Sequence, residues 1–173
     1  MTAITSNPSS LDFLSKIGFK AEIERLKDTE YMVQRVRIPG PRVSNVMVPN
    51  PFGRAPVPGD HPEIGQLTFS FLVNESLSSW TGIRDWLTDI SRVDGFDRYA
   101  ALAALDQSKG LGLSSNIVIY ALSSNRLANK RLMFHGCVPS ALSDLELNSV
   151  DRDVDYMIAT ATFDFVNLTI EEP

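Results

Sequence analysis

Residues 130–168 read KRLMFHGCVPSALSDLELNSVDRDVDYMIATATFDFVNL, and the end of this stretch alternates between apolar and polar side chains. The apolar positions of residues 156–168 are Met157, Ala159, Ala161, Phe163 and Phe165. Because side chains on a strand point alternately to its two faces, this spacing predicts a long strand with one buried face. Residues 131–138, with Gly136 inside, predict a second strand, and residues 142–147 predict a third, short one.

Upstream of this stretch, a predicted strand is followed directly by a predicted helix. Residues 66–74 alternate, with Leu67, Phe69, Phe71 and Val73 on one side. Residues 76–92 then repeat apolar side chains every three or four positions, which predicts an amphipathic helix. Its apolar stripe consists of Leu77, Trp80, Ile83, Leu87 and Ile90, with Trp86 beside it. Residues 98–105 predict another helical turn or two, and the β-branched run 116–122 predicts a further strand.

The N-terminal part of the chain predicts a short helix and a hairpin. The helix covers residues 9–18, with a serine as its N-cap and Gly18 as its end. Residues 19–25 and 31–38 alternate between apolar and polar side chains, so they predict two strands. The turn chemistry at Asp28 predicts that these two strands pair with each other.

The segment from Pro39 to Pro62 holds seven of the ten prolines. Proline removes backbone donors and favours an extended conformation, so we expect neither a long helix nor a central strand here. The segment also carries more apolar side chains than a solvated linker would. These apolar residues include Val43, Val46, Met47, Val48, Phe52 and Val57. The combination predicts an extended arm that lies on another surface, either of its own domain or of a neighbouring molecule.

Taken together, the predicted elements specify a mainly β fold. We expect an antiparallel β-sandwich or barrel with one packed α-helix and a long extended proline-rich arm. The chain of 173 residues fits one domain over residues 1–173. Within it, residues 1–18 form an N-terminal arm or short helix, and residues 39–62 form the extended proline-rich loop.

Charge and composition narrow the function classes. The formal net charge is −5 and the chain has one cysteine, Cys137. An acidic chain is not suited to gripping nucleic acid, and a single cysteine excludes an intrachain disulfide. No apolar run approaches the roughly 20 residues that span a bilayer, and Met1–Ser10 does not resemble a secretory leader. We therefore expect a protein that is made and assembled in the cytoplasm, without contact to a membrane.

Two groups of residues suggest chemistry only weakly. His135 and Cys137 lie two positions apart on a predicted strand, so they would share a face and could form a thiolate–imidazole pair or half a metal site. Packing of two half-buried strand residues is the favoured interpretation of this pair. Asp151, Asp153 and Asp155 alternate as in a calcium loop, but the glycine and glutamate that an EF-hand requires further on are missing. We expect no metal and no catalytic residue.

Three stretches, in this order, resemble the tube proteins of contractile tails, in particular the tail tube subunit of T4-like phages. The first is LTFSFLVNESLSSWTGIRDWL, residues 67–87, a strand and helix with Trp86 near the helix end. The second is FHGCVPSALSDLEL, residues 134–147, with its aromatic, glycine and proline in the family's order. The third is YMIATATFDFVNL, residues 156–168, which matches the family's closing strand. The resemblance extends over the last two thirds of the chain.

The resemblance implies a structural virion protein with neither a catalytic centre nor a cofactor. Copies of the subunit would form hexameric rings, and the rings would stack into the inner tube of a contractile tail. The implied partners are further copies of the chain, the tail sheath protein, and the baseplate and tail terminator proteins. A tape measure protein and DNA would pass through the lumen without specific binding. The tube would be part of the virion and would assemble in the host cytoplasm.

Two sets of residues follow from this interpretation. The arm would lie on the next subunit or ring through Val43, Val46, Val48, Phe52 and Val57. An acidic chain suits a pore that repels phosphates. We therefore expect acidic residues on polar strand faces to line the lumen, namely Glu22, Glu24, Asp144 and Glu146.

Other functions fit parts of the sequence. A baseplate tube initiator or a tail terminator would share the fold but start or cap the tube, and a type VI secretion-like tube would share the assembly. A monomeric ligand-binding β-sandwich would use Trp80, Trp86 and Tyr99, whereas an enzyme would depend on His135 and Cys137. The aromatic stripe also fits core packing, which is its ordinary role on an amphipathic helix.

Overall fold

The computed structural model describes residues 13–26, 32–91, 95–105, 112–148 and 155–172. Within these ranges the chain forms nine strands and two helices. The strands are β1 (Phe19–Ile23), β2 (Val33–Arg37), β3 (Arg42–Asn50), β4 (Gly53–Glu63), β5 (Leu67–Leu72), β6 (Ser115–Leu122), β7 (Ala128–Leu142), β8 (Ile158–Asp164) and β9 (Asn167–Glu171). The helices are α1 (Ser78–Ser91) and α2 (Phe96–Ala104). The predicted mainly β class is confirmed.

Seven of the strands form one antiparallel sheet in the order β1–β6–β7–β8–β5–β2, with β9 paired to β7. The long strand β7 joins two halves of this sheet, because its start pairs with β6 and β9 and its residues 138–142 pair with β8. We call β1, β6, β9 and the start of β7 the first half-sheet. The end of β7, with β8, β5 and β2, is the second half-sheet. Side chains from both halves enter one buried cluster, so the sheet curls around a single core.

The bend in β7 lies at Gly136, whose φ of 65° places it in the left-handed region. Ser115 of β6 lies opposite Cys137, and Ile117 lies opposite Phe134, so β7 has one more residue than β6 across this step. This is a β-bulge, which bends a strand and shifts its alternation by one residue. Phe134 and Cys137 are therefore both fully buried although they lie three positions apart.

Helix α1 closes the core with Trp86 at the centre of its buried face rather than beside it. Trp86 is 1% exposed, and its ring lies 6.0 Å from that of Phe163. Its Nε1 donates a hydrogen bond to the carbonyl of Leu113 at 3.1 Å. Leu77, which the apolar spacing placed on the stripe, is 41% exposed because the helix begins one residue later, at Ser78.

The predicted hairpin between residues 19–25 and 31–38 is wrong. β1 pairs with β6, and β2 pairs with β5 at the other end of the sheet. Alternation predicts that a segment is a strand and which side chains it buries, but it does not identify the partner strand. The burial of Ala21 and Ile23 in β1 agrees with the predicted face. The predicted turn at Asp28 lies outside the described residues.

The predicted N-terminal helix is wrong in the part that the structure describes. Residues 13–18 form no helix beyond a single turn, in which the N–H of Gly18 donates to the carbonyl of Ser15 at 3.5 Å, and Leu14 and Ile17 are exposed rather than packed on one face. A helix this short depends on a packed partner surface, which these side chains lack within the described part of the chain. The predicted serine cap lies outside it.

Two strand boundaries near the C-terminus also differ from expectation. The short strand predicted over residues 142–147 does not form, because β7 continues to Leu142 and residues 143–148 are irregular. The single strand predicted over residues 156–168 is two strands, β8 and β9, separated at Val166. The N–H of Val166 donates to the carbonyl of His135 at 3.0 Å, which fixes this break beside the bend of β7.

Candidate assembly surfaces

The proline-rich segment, predicted as an extended arm or loop, is a β-hairpin in the structure. β3 and β4 pair antiparallel, and they form a separate two-stranded sheet. Val46 lies opposite Val57, and Val48 lies opposite Ala55, so these four aliphatic side chains share one face. We call Val46, Val48, Ala55 and Val57 the valine face.

The prolines are compatible with this hairpin because of their spacing. Pro56 and Pro58 lie two residues apart on β4. Pro49 on β3 belongs to the same alternate set of residue pairs between the two strands. Alternate residues of an antiparallel pair direct their N–H groups away from the partner strand, so a proline there removes no ladder hydrogen bond. The outer edges of the hairpin consequently lack donors at these positions. They are poorly suited to strand addition, so contact through a face is the better use of this hairpin.

A second bulge shapes the base of the hairpin. The register shifts between Val43 and Asn45, and Gly59 lies in the bulged part of β4 opposite this step. A Cβ at Gly59 would lie 2.5 Å from the carbonyl oxygen of Ser44, so only glycine fits here without moving the backbone.

The hairpin is exposed and contributes nothing to the core among the described residues. Val46 is 59% exposed, and Phe52 at the tip is fully exposed. The predicted contact residues Val43, Val48 and Val57 are also exposed, and the buried cluster contains no residue of β3 or β4. An isolated two-stranded hairpin is only marginally stable in water. A contiguous apolar face of this kind indicates a protein partner.

The second candidate surface is the outer face of the second half-sheet, which points away from the core. Two rows of side chains cross it from strand to strand. The first row is Arg35, Ser70, Thr160 and Ser143, and the second is Arg37, Thr68, Thr162 and Ala141. The hydroxyls of Ser70 and Thr160 are 3.3 Å apart. Each row therefore begins with an arginine at the β2 edge and continues through small, mostly hydroxyl-bearing side chains.

Asp144 and Glu146, two of the predicted lumen residues, lie at the other edge of this face. Both are exposed, and they border a surface cavity of about 560 Å³ together with Ile158 and Thr160. Ile158 and Thr160 also border a neighbouring cavity of about 350 Å³ that Arg35 lines from the opposite side. The acidic pair and the arginine edge thus belong to one continuous surface.

Of the other two predicted lumen residues, Glu22 lies on β1 in the first half-sheet, and Glu24 is the first residue after that strand ends. Glu22 accepts a hydrogen bond from Lys20 at 2.6 Å, and Glu24 accepts one from Asn116 at 3.2 Å. Their charges are therefore partly satisfied within the chain. A lumen exists only between subunits, so it stays a prediction that these residues and the acidic pair face it.

His135 and Cys137 do not share a face, because the bulge at Gly136 separates their environments. His135 lies on the surface side of β7, where its Nε2 is 2.6 Å from the hydroxyl of Thr169. Cys137 is fully buried, and burial raises the pKa of its thiol to about 12. A thiol with such a pKa stays protonated at neutral pH and is a poor nucleophile. The predicted shared face is therefore wrong.

Most of the aromatic residues that could line a ligand site in a monomeric β-sandwich are core residues. Trp86, Phe69 and Phe71 are buried in the central cluster, as the packing interpretation predicts. Trp80 is half-buried, and its Nε1 donates to the carbonyl of Ser143 at 3.2 Å. Tyr99 packs against Phe96 on α2.

Possible metal ligands and membrane-spanning helices were sought in the part of the chain that the structure describes. No three His, Cys, Asp or Glu side chains come together there in a way that could hold a metal ion. Asp151 and Asp153 of the predicted acidic loop lie outside it. Neither α1 nor α2 has the length and hydrophobicity needed to cross a bilayer.

Solved structures with this fold come from contractile injection systems. The cap that terminates the tube of the anti-feeding prophage matches with a TM-score of 0.65 at 12% identity, over 99% of this chain and 100% of that chain. A chain of the sheath–tube complex of the extracellular contractile injection system PVC matches with a TM-score of 0.64 at 10% identity, over 97% and 100%. A chain of the PVC sheath/tube terminator matches with a TM-score of 0.60 at 10% identity, over 96% and 99%.

Sequence comparisons add nothing to this result, since no protein-family model and no curated protein matches the chain. At such low identities, the structural likeness is evidence for the fold. It extends over nearly the whole of both chains in each pair, so it is not confined to a shared motif. The chain therefore has the fold that occurs in tube and tube-terminating assemblies of contractile injection systems.

Proposed function

We propose that this chain is a structural subunit of the inner tube of a phage-type contractile tail. Copies of it assemble into hexameric rings, and the rings stack into a tube whose lumen conducts DNA and a tape measure protein without binding them specifically. The tail sheath protein surrounds this tube, and baseplate and terminator proteins close its ends. The completed tube is part of the virion and assembles in the host cytoplasm.

The exposed β3–β4 hairpin on a tube fold is the observation that carries this proposal. Its valine face is apolar, uncovered and held on a hairpin that is marginal by itself. Burying that face on a neighbouring subunit removes apolar area from water and orders the hairpin at the same time. The proposed contacts between subunits are Val46, Val48 and Val57 of this face, together with Phe52 at the tip and Val43, which lies at the base of the hairpin on the other face of β3.

The proposed lumen surface is the outer face of the second half-sheet. Its hydroxyl-bearing rows are small and carry no apolar patch, so they offer little for a passing chain to adhere to. Asp144 and Glu146 border this face, and Arg35 and Arg37 at the opposite edge balance their charge, so the face carries no net positive charge that would hold phosphates. Glu22 and Glu24 belong to the first half-sheet and are proposed for the lumen only on the basis of their exposed strand face.

A tube terminator is the second candidate, because two of the structures with this fold belong to terminating assemblies. The two functions differ in how many rings form. A tube subunit presents matching surfaces on both sides of its ring and continues to stack, whereas a terminator stops after one ring.

The hairpin contact is tested with the double variant Val46→Glu/Val48→Glu and the control Asn45→Glu, which adds a charge to the same hairpin on its other face. Sedimentation velocity measures assembly, and circular dichroism checks that each variant is folded. The proposal expects the double variant to be folded but unassembled, with the control close to the parent protein. Assembly of the double variant at the parent's concentration would remove the hairpin from the interface.

A further inference from the structure

The second half-sheet has two open edges of opposite charge. Among the described residues, β2 pairs only with β5, so it forms one edge. Residues 138–142 of β7 pair only with β8, so they form the other edge. Arg35 and Arg37 are exposed on the β2 edge. Asp144 and Glu146 are exposed where the chain leaves β7 at the opposite edge.

Within the described ranges, none of these four charged side chains forms an ion pair with its own chain. Among the described residues, the ion pairs are Lys20–Glu22, Arg84–Asp85, Arg98–Asp89, Lys130–Glu172 and Arg131–Glu171. None of these involves the arginines of β2 or the acidic pair after β7. Arg35 and Arg37 lie two residues apart on one strand face, so they repel each other until an anion approaches.

Strand directions allow the two edges to meet in one continuous sheet. Each neighbouring pair in the second half-sheet is antiparallel, from β7 through β8 and β5 to β2. With four strands in this order, β2 of one copy runs antiparallel to β7 of the next copy when the copies are placed side by side. Repeating this contact uses a different edge on each side of every copy, which is a heterologous interface, and such an interface forms a ring when the rotation between copies closes.

We propose that copies of this chain join head to tail along these edges, with Arg35 and Arg37 of one copy paired to Asp144 and Glu146 of the next. The inference rests on the proposed function and deepens it, because it names the side chains that set the order of subunits around the ring. The side-by-side contact of two β2 edges brings four arginines together, and the contact of two β7 edges brings four acidic side chains together. Both wrong pairings are disfavoured by like-charge repulsion.

The rows of small side chains connect the arginine edge to the acidic edge across the outer face of the second half-sheet. Arg35 begins the row that continues through Ser70 and Thr160 to Ser143, the residue immediately before Asp144. The arginine edge and the acidic edge therefore border the same outer face. Pairing across the junction continues that face from one copy to the next and neutralises both edges.

Charge reversal tests this contact. Variant one carries Arg35→Glu and Arg37→Glu, variant two carries Asp144→Lys and Glu146→Lys, and variant three carries all four changes. The control reverses Arg84 and Asp85, an exposed ion pair on α1. Sedimentation velocity gives the concentration at which each full-length protein assembles, and circular dichroism confirms that it is folded.

We expect variants one and two each to need at least about tenfold higher concentration to assemble than the parent. Variant three and the control should assemble near the parent concentration, and an equimolar mixture of variants one and two should recover assembly through alternating contacts. If both reversals assemble like the parent, or if variant three is no better than either reversal, the charged junction is wrong while the tube proposal stands. If the parent itself stays monomeric at every concentration, both proposals fail.

Discussion

Gly136 and Val166 are in direct contact at the point where the two half-sheets join. A Cβ at Gly136 would lie 3.0 Å from Cγ2 of Val166, and the backbone of Gly136 is in the left-handed region. The glycine thus permits both the bulge in β7 and the close approach of the turn between β8 and β9. This one contact fixes how the second half-sheet turns away from the first.

The change Gly136→Ala should destabilise the folded protein by about 1–3 kcal/mol, since alanine is strained at this φ and its methyl group crowds Val166. Urea unfolding measures the free energy. Gly40→Ala is the control, because a Cβ there meets nothing within 4 Å. A loss no larger than that of the control would mean that the bend does not depend on glycine.

The change Gly59→Ala should disturb assembly without weakening the core. Its methyl group would collide with the carbonyl of Ser44 and displace one strand of the hairpin. The hairpin contributes nothing to the buried cluster, so we expect the unfolding free energy to change by no more than about 0.5 kcal/mol. Sedimentation velocity should show reduced assembly. Unchanged assembly with a distorted hairpin would indicate that the hairpin is not a subunit contact.

Trp86→Phe should cost about 2–4 kcal/mol, because it removes buried ring atoms and the hydrogen bond to Leu113. It also removes the contact of the Arg25 guanidinium, which lies 5.1 Å from the indole centroid. Trp80→Phe is the matched variant, and we expect a smaller loss since Trp80 is only half-buried. Equal losses in urea unfolding would contradict the central position of Trp86.

The thiol of Cys137 should be unreactive in the folded protein. Its pKa is raised from 9.0 to about 12 by burial, so it stays protonated well above neutral pH. Titration with a disulfide reagent at pH 8 should give no prompt reaction, followed by one equivalent after addition of urea. Prompt labelling of the folded monomer would show that the site is open.

The raised pKa of the Cys137 thiol also makes the free energy of unfolding depend on pH. The folded state holds the thiol proton more tightly than the unfolded chain, so its contribution is complete below about pH 9 and is lost as the pH rises toward 12. Urea unfolding of the parent and of Cys137→Ala should therefore converge as the pH rises through this range. A constant difference between the two proteins would contradict the raised pKa.

Periodicity predicted the buried faces well. Phe69 on β5, Ala161 on β8 and Ile83 on α1 are buried as their spacing indicated. Strand partners were not predictable in the same way, because the pairing of β1 with β6 joins residues almost a hundred positions apart. No local pattern encodes such a contact, and proximity in sequence favoured the incorrect hairpin.

The pairing of β3 with β4 was not predicted, although the spacing of the prolines in the sequence is compatible with it. Seven prolines argued against a central strand and left the segment as an extended loop, yet Pro56 and Pro58 alternate with Ala55 and Val57. That spacing of two places Pro56 and Pro58, like Pro49 on β3, on the side of the ladder where no donor is needed. The predicted contact residues were found by their hydrophobicity alone, whereas the arginines of β2 became a candidate site only when the topology showed them opposite the acidic edge.

Electron microscopy of the purified chain in negative stain tests whether it builds a tube. We expect rings of uniform width, and stacked rings or tubes as the protein concentration rises. Dispersed monomers at high concentration, with no rings at any salt concentration, would contradict it.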